Sequence, residues 1–528
     1  MIIHVHLVLG FQVMILSFLI IHKFPYKGRN SMVTKYIIVS IFLVILFAVS
    51  YNTFRKIKTY QDYNLAGKGT GLFALTATLV AAEFNTATLI GGASVAYLFG
   101  TVGMWYTSLI FIAVFLAYAF TVAKKYRKLN ISTISQFFDK RFKNEKYSEL
   151  IRFMSAIITL FYTWLAPASY LAGLAVIGSV LLGVDPVIFS ITIVVICLIL
   201  SITGGLLTAI GIDVVAFIMI MIGIPTILFI GISAAGGFGS LSQVYEPKLL
   251  SLAPVWDTEV NFPIALTWGL QILFLYIAAP WYGQRIFSAK NEKVAYTAML
   301  WNTFFIVVLY GMVVLATMFS KVVFPSLDKP EEALPLLIAT QSNSLVQGLL
   351  LVTLLLVGVS TLIAVWNSAV SIIVNDVVRR YFLKNKGDRQ FIIASRICFV
   401  IIAASTLIFG IVFIGNIQNS LLFLSTFTGI VAIPILISLY WKKYNSLGAL
   451  SSMISGLAYS GIAITLSFPI YFISPIAVIV ATIVGIIVSL ATSKNHVTDN
   501  QEFYELIESP LQLESHETES VLIPKESN

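Results

Sequence analysis

Long apolar runs dominate the chain and predict thirteen spanning helices, near 35–54, 70–97, 101–123, 150–182, 186–204, 208–235, 262–282, 294–320, 345–375, 390–414, 418–441, 447–467 and 470–492. Runs of about 18 apolar residues or more are long enough to cross a bilayer as helices. Barrel strands would alternate apolar and polar positions, and these runs do not. In lipid every backbone polar group must be satisfied within its own segment, so the pattern predicts an all-α, polytopic membrane helix bundle.

Charge then orients the bundle. The chain has 528 residues, 58% hydrophobic and 11% charged, with a net charge of +9. From Lys494 onward eight acids face two lysines, so the rest of the chain is strongly basic. Those basic residues sit in short loops: Arg55, Lys56, Lys58 and Lys68; Lys124–Lys146; Arg285, Lys290 and Lys293; Arg379–Arg389; Lys442 and Lys443. The positive-inside rule makes that side cytoplasmic, with the acidic tail on it, and leaves 236–260 and 321–344 outside. The basic balance is topology information and points to no nucleic acid. The location expected is the cell's inner (plasma) membrane, multi-pass.

One segment breaks this pattern. Residues 2–22 are apolar enough to span, yet Lys23, Lys27, Arg29 and Lys35 would then lie outside. An extra N-terminal span, a signal segment and an upstream extension of a chain beginning near Met32 all remain open. The polar tail from Asp499 is expected to be disordered.

Soluble-enzyme chemistry finds little support. The five histidines lie at 4, 6, 22, 496 and 516, outside the bundle, and Cys197 and Cys398 sit inside apolar runs. No phosphate-binding loop of the G-x-x-x-x-G-K-[ST] type occurs. The chain is expected not to be an enzyme.

Polar residues inside the spans carry the candidate chemistry, because ionisable groups there are costly and tend to mark a pathway. Glu83 stands in "LVAAEFNTATLIGG", beside Asn85, Thr86 and Thr88. A helix unwound at that point would free carbonyls for a cation, as transporters do at the membrane midplane. Glu83 could instead be a protonated acid bonded to a neighbouring helix. In "LLVGVSTLIAVWNS" Ser360 and Thr361 are adjacent hydroxyls, which serve equally as packing glue or as hard oxygen ligands for an alkali cation. Asp213, in "GGLLTAIGIDVV", could cap a helix start or mark an ion exit.

Four stretches together resemble the sodium:solute symporter family. They are "YNLAGKGTGLFALTATLVAAEFNTATLIGG", "GGLLTAIGIDVV", "QRIFSAKN" and "SLYWKKYNSLGALSSMISG", spanning residues 60–456 in the family's order. The family's usual Thr and Gln around the Asp are Ile212 and Ala216 here, and Ser455 departs mildly from the C-terminal signature.

The resemblance implies a LeuT-type fold of two inverted five-helix repeats, 70–235 and 262–441, joined by an external loop, 236–261. Around them would lie an outer helix and loop, 35–69, two peripheral helices, 442–493, the N-terminal segment 1–34 and the acidic tail 494–528. It implies a coupling Na⁺ held by the carbonyls of Ala81, Phe84 and Val357 and the hydroxyls of Ser360 and Thr361. Glu83 stands where proline-transporting members carry Asp and sugar-transporting members Asn, which suggests ion or proton coupling.

Sugar-type members read hydroxyls from positions that are Thr88, Thr107, Ile272 and Ile306 here, which disfavours a sugar. The implied function is Na⁺-coupled symport of a small polar organic solute, an amino acid such as proline or a urea-like molecule, contacted by Asn85, Thr86, Thr88 and Thr107. The bilayer is the other expected partner, with no obligate protein partner indicated. Alternatives are an H⁺-coupled symporter using Glu83, or a transporter-like membrane sensor with a separate signalling partner.

Overall fold

The computed structural model describes residues 29–384, 386–414, 417–492 and 501–509, and among these it is helical with no strand beyond one isolated bridge. Residues 2–22 and most of the acidic tail lie outside the described residues. Among the described residues ten helices are long and apolar enough to cross a membrane, and two further bent pairs pass the same test together.

The 50-residue run Pro186–Ala235 would extend about 75 Å if straight, more than twice a hydrocarbon core. It is interrupted at Gly205, whose φ of 52° and ψ of −137° are not helical. That break falls between the runs expected at 186–204 and 208–235.

Both bent pairs open a predicted repeat. Leu72–Glu83 meets Thr86–Phe99 at 57°, and Phe262–Ile277 meets Pro280–Ser288 at 45°. Around them burial falls outward. Ser344–Phe382 is 89% buried over its most apolar window, whereas Met32–Phe54 is 28% buried. Peripheral helices turn Val44, Ile222 and Phe229 outward, as a lipid-facing surface requires.

Two of the family-like stretches touch. Thr70 N–H donates to Ser288 O at 3.0 Å, and Lys290 N–H donates to Thr70 O at 2.9 Å. Gln284 Nε2 donates to Asn64 O at 2.9 Å. The loop before the first broken helix is thereby fastened to the end of the second. Arg285, read from sequence as a cytoplasmic loop charge, is instead fully buried beneath this junction. Its helix Pro280–Ser288 folds back into the protein, which takes the guanidinium out of the loop.

The tail also departs from expectation. Gln501–Glu508 is a helix, with Phe503, Tyr504 and Ile507 buried on one face. Its apolar spacing of one, then three residues makes an amphipathic turn that composition alone obscured.

Candidate functional site

The first broken helix exposes its own backbone for a local reason. In a continuous helix Asn85 N–H would bond Ala81 O, and Thr88 N–H would bond Phe84 O. Here Asn85 N–H turns to Tyr310 Oη at 3.3 Å, and Thr88 N–H is taken by Asn85 Oδ1 at 2.8 Å. Asn85 is therefore the N-cap of the second half-helix, and its amide nitrogen also donates to Glu83 O at 2.8 Å. The carbonyls of Ala81 and Phe84 are left without their helical donors.

Ser360 and Thr361 meet those freed carbonyls. Thr361 Oγ1 lies 3.0 Å from Val357 O, 3.2 Å from Ala81 O and 3.5 Å from Phe84 O. Ser360 Oγ lies 3.2 Å from Ala81 O. The five groups named from sequence thus converge on one buried spot. All are hard oxygens, a donor set that suits an alkali cation and not a soft metal.

Asp213 stands immediately behind this cluster. Its Oδ1 accepts from Ser360 Oγ at 2.6 Å, and its Oδ2 accepts from Arg285 Nη2 at 2.8 Å and from the Thr78 hydroxyl. Both members of the ion pair are fully buried. Asp213 lies eight residues past the Gly205 break, and its partners are side chains, so it does not cap the helix start. Arg285 is the functional neighbour that sequence reading missed. The signal was available: a buried acid needs a cation, and the "QRIFSAKN" stretch supplied one.

Glu83 faces elsewhere. Its carboxylate accepts from Tyr276 Oη, on the second broken pair, and borders a small, partly open chamber of about 20 Å³ between the two pairs. The chamber is walled by Phe111, Tyr162, Tyr170, Trp268, Tyr276 and Trp281. Asn85 and Thr88 also reach it. Glu83 is thus no member of the oxygen cluster, because the helix break points successive residues to different sides.

Two of the expected solute contacts are spent on packing. Thr86 Oγ1 donates to Tyr170 O at 2.7 Å, and Thr107 Oγ1 donates to Gly103 O at 2.7 Å with its methyl against Gly92. Neither borders the chamber, nor does Ile306, whereas Ile272 does.

A family model for the sodium:solute symporter family matches residues 63–456. The chain belongs to that family. The symporter is 25% identical to a sodium/glucose cotransporter of Vibrio parahaemolyticus over 76% of this chain and 79% of the relative. It is also 25% identical to the osmoregulated proline transporter OpuE of Bacillus subtilis (strain 168), over 86% of this chain and 94% of that one. A solved Na⁺-coupled sialic acid symporter in a substrate-bound outward-open state superposes with a TM-score of 0.76, covering 88% of this chain and 98% of that one at 17% identity. The fold is LeuT-type. The symporter is a multi-pass membrane transporter and not an enzyme.

Proposed function

We propose that this symporter couples inward Na⁺ movement to uptake of a small polar nitrogenous solute by alternating access. The observation that carries the reading is the convergence of Ala81 O, Phe84 O, Val357 O and the hydroxyls of Ser360 and Thr361 at the helix break. Na⁺ bound there ties the first broken helix to Ser344–Ile372. The half-helix Thr86–Phe99 begins two residues past Phe84, so the ion also fixes one wall of the aromatic chamber. Solute and ion then tighten each other by the same factor. Each charge moved inward gains about 2.3 kcal/mol per 100 mV.

Asp213 lies beside Ser360 on the far side of the cluster and is suited to receive the ion on its way out. The basic loops, and with them the acidic tail, are assigned to the cytoplasm by the positive-inside rule.

Proteoliposomes of the full chain test this directly. Concentrative uptake of a labelled amino acid or amine under an inward Na⁺ gradient, lost in the Ser360→Ala/Thr361→Ala variant, supports the reading. Uptake driven by an inward H⁺ gradient, indifferent to those hydroxyls and lost in Glu83→Gln, moves coupling to Glu83. That second reading is favoured by one observation: Glu83 is a buried carboxylate with a phenol as its side-chain partner.

A further inference from the structure

A groove of about 360 Å³ lies between the outer helix Met32–Phe54 and the core, and it shares no residue with the oxygen cluster or the aromatic chamber. Its walls are residues between 36 and 47 on that helix, between 188 and 199 on Pro186–Ala235, and between 352 and 359 on Ser344–Ile372. Leu182 and Val184 stand at one end. Apart from Tyr36 and Thr192 every lining side chain is aliphatic or Phe, and the Thr192 hydroxyl is spent on Ile188 O at 2.9 Å. Ile188, Ile191 and Val195 are exposed, so the groove opens sideways to the bilayer. From residue 36 to 47 the helix rises about 16 Å, one leaflet's share of a hydrocarbon core about 30 Å thick.

One end of this apolar slot is polar and unsatisfied. Lys35 is 6% exposed, and its ammonium, with three donors to place, donates to Leu181 O at 3.0 Å beside the Leu182 end. The next residue, Tyr36, lines the groove and is 9% exposed, yet its phenol has no hydrogen-bond partner among the described residues. A buried hydroxyl left unpaired is costly, above all where lipid replaces water. Asp185, the acid at this end, caps the N–H groups of Val187 and Ile188 instead. Lys35 and Tyr36 lie at the opposite end of their helix from the loop that carries Arg55 and Lys56, and Lys23, Lys27 and Arg29 precede them in the chain. This is the run of positive charge that breaks the positive-inside pattern.

We infer that the groove seats an anionic phospholipid from the leaflet opposite the basic loops, with its phosphate accepting from Lys35 and Tyr36 and one acyl chain lying along the groove. The headgroup supplies the negative charge and the acceptor oxygens that this end lacks, and the chain fills walls that offer nothing polar. The chain's own apolar segment 2–22 is less suited to the place. It carries no acid, the first in the sequence being Asp62, so it would leave the ammonium without a counter-charge. The inference is independent of the coupling ion and of the solute.

The test places the full chain in nanodiscs of phosphatidylglycerol and phosphatidylcholine in equal parts, with a photoactivatable acyl chain on one lipid at a time. Adducts are mapped by proteolysis and mass spectrometry, and those on the outward-facing stretch 218–229 set the bulk ratio. The expected result is labelling within 36–47 and 188–199 that favours phosphatidylglycerol by at least about fivefold over bulk. Lys35→Gln should bring that ratio near one. Val195→Trp, which fills the groove from an exposed position, should remove the groove adducts of both lipids, and it keeps the proposal open to test should Lys35→Gln fail to fold. Labelling at the bulk ratio in wild type, or a preference retained in Lys35→Gln, would overturn the anionic headgroup. A photo-cross-linker at Val39 that captures residues 2–22 or a second copy, with no lipid adduct in the groove, would give the place to that occupant and overturn the lipid.

Discussion

The Ser360 hydroxyl lies 2.6 Å from Asp213 Oδ1 and 3.2 Å from Ala81 O. It therefore belongs at once to the oxygen cluster and to the buried ion pair. A hydrogen bond or ligand to a charged group contributes about 1.5–3 kcal/mol, which corresponds to about 10- to 100-fold in affinity. Ser360→Ala should raise the half-saturating Na⁺ concentration within that range while leaving the protein folded. Thr361→Ala should do the same, because Thr361 Oγ1 is within 3.5 Å of three carbonyls. Na⁺ dependence of uptake in proteoliposomes is the measurement. An unchanged dependence in both variants would remove the ion from this spot.

Asp213 and Arg285 form the second testable pair. Breaking a buried ion pair by removing one partner costs about 3–5 kcal/mol, because a bare charge remains. Asp213→Asn should therefore unfold well below wild type in a thermal-stability assay in detergent. Arg285→Gln should do likewise. The double variant Asp213→Asn/Arg285→Gln should recover part of the loss, since no unpaired charge is left. Additive losses would mean that the two side chains act independently.

The helix break was legible because Asn85 is a cap residue placed inside an apolar run, next to a carboxylate that a straight buried helix would not tolerate. The Ser360–Thr361 pair is not distinctive alone; it gains meaning only from the resemblance, which implies paired hydroxyls opposite the broken helix. The partner of Asp213 was missed because Arg285 reads as one of several basic loop residues until the fold turns Pro280–Ser288 inward. The sequence reading assigns Thr86 to the solute by its place beside the helix break and Thr107 by its alignment with a solute-reading position of the family. Their burial direction depends on the crossing of Thr86–Phe99 with its neighbours, where Gly173 packs against Thr86 and Gly92 against Thr107. No periodicity in the chain encodes that crossing.

Gly205 is a site where residue type is dictated by backbone. Its φ is +52°, and a Cβ there would strike the Tyr63 carbonyl and ring. Tyr63 in turn reaches back, its phenol donating to Ile202 O at 3.2 Å. Gly205→Ala combines left-handed strain with a backbone clash, each of order 1–3 kcal/mol. The variant should lose thermal stability by several degrees or more, and its uptake rate should fall. Gly461→Ala, in open space, should change neither.

The helix Gln501–Glu508 ties the tail to both halves of the bundle. Tyr504 Oη donates to Ser438 O at 2.7 Å, at the end of Ile417–Tyr440. Phe503 packs edge-on to Phe137 at 5.7 Å, in the loop between the third and fourth predicted spans. Between them lies buried Arg141, which donates to Tyr444 O at 2.8 Å and sits 5.3 Å from the Tyr504 ring. The Lys143–Glu502 pair, 2.8 Å apart, is solvent-exposed and adds little. Lys143 does hold the Glu502 carboxyl below the usual carboxylate range. Its small contribution is therefore present at neutral pH and lost only as the pH falls through the acid range. Docking rests instead on Phe503, Tyr504 and Ile507. Tyr504→Ala should release the helix, read as faster amide exchange in 134–142 and 436–444, whereas raised salt or Glu502→Gln should leave that protection nearly intact. Protection lost with salt and kept in Tyr504→Ala would reverse the assignment, making the tail an electrostatic attachment.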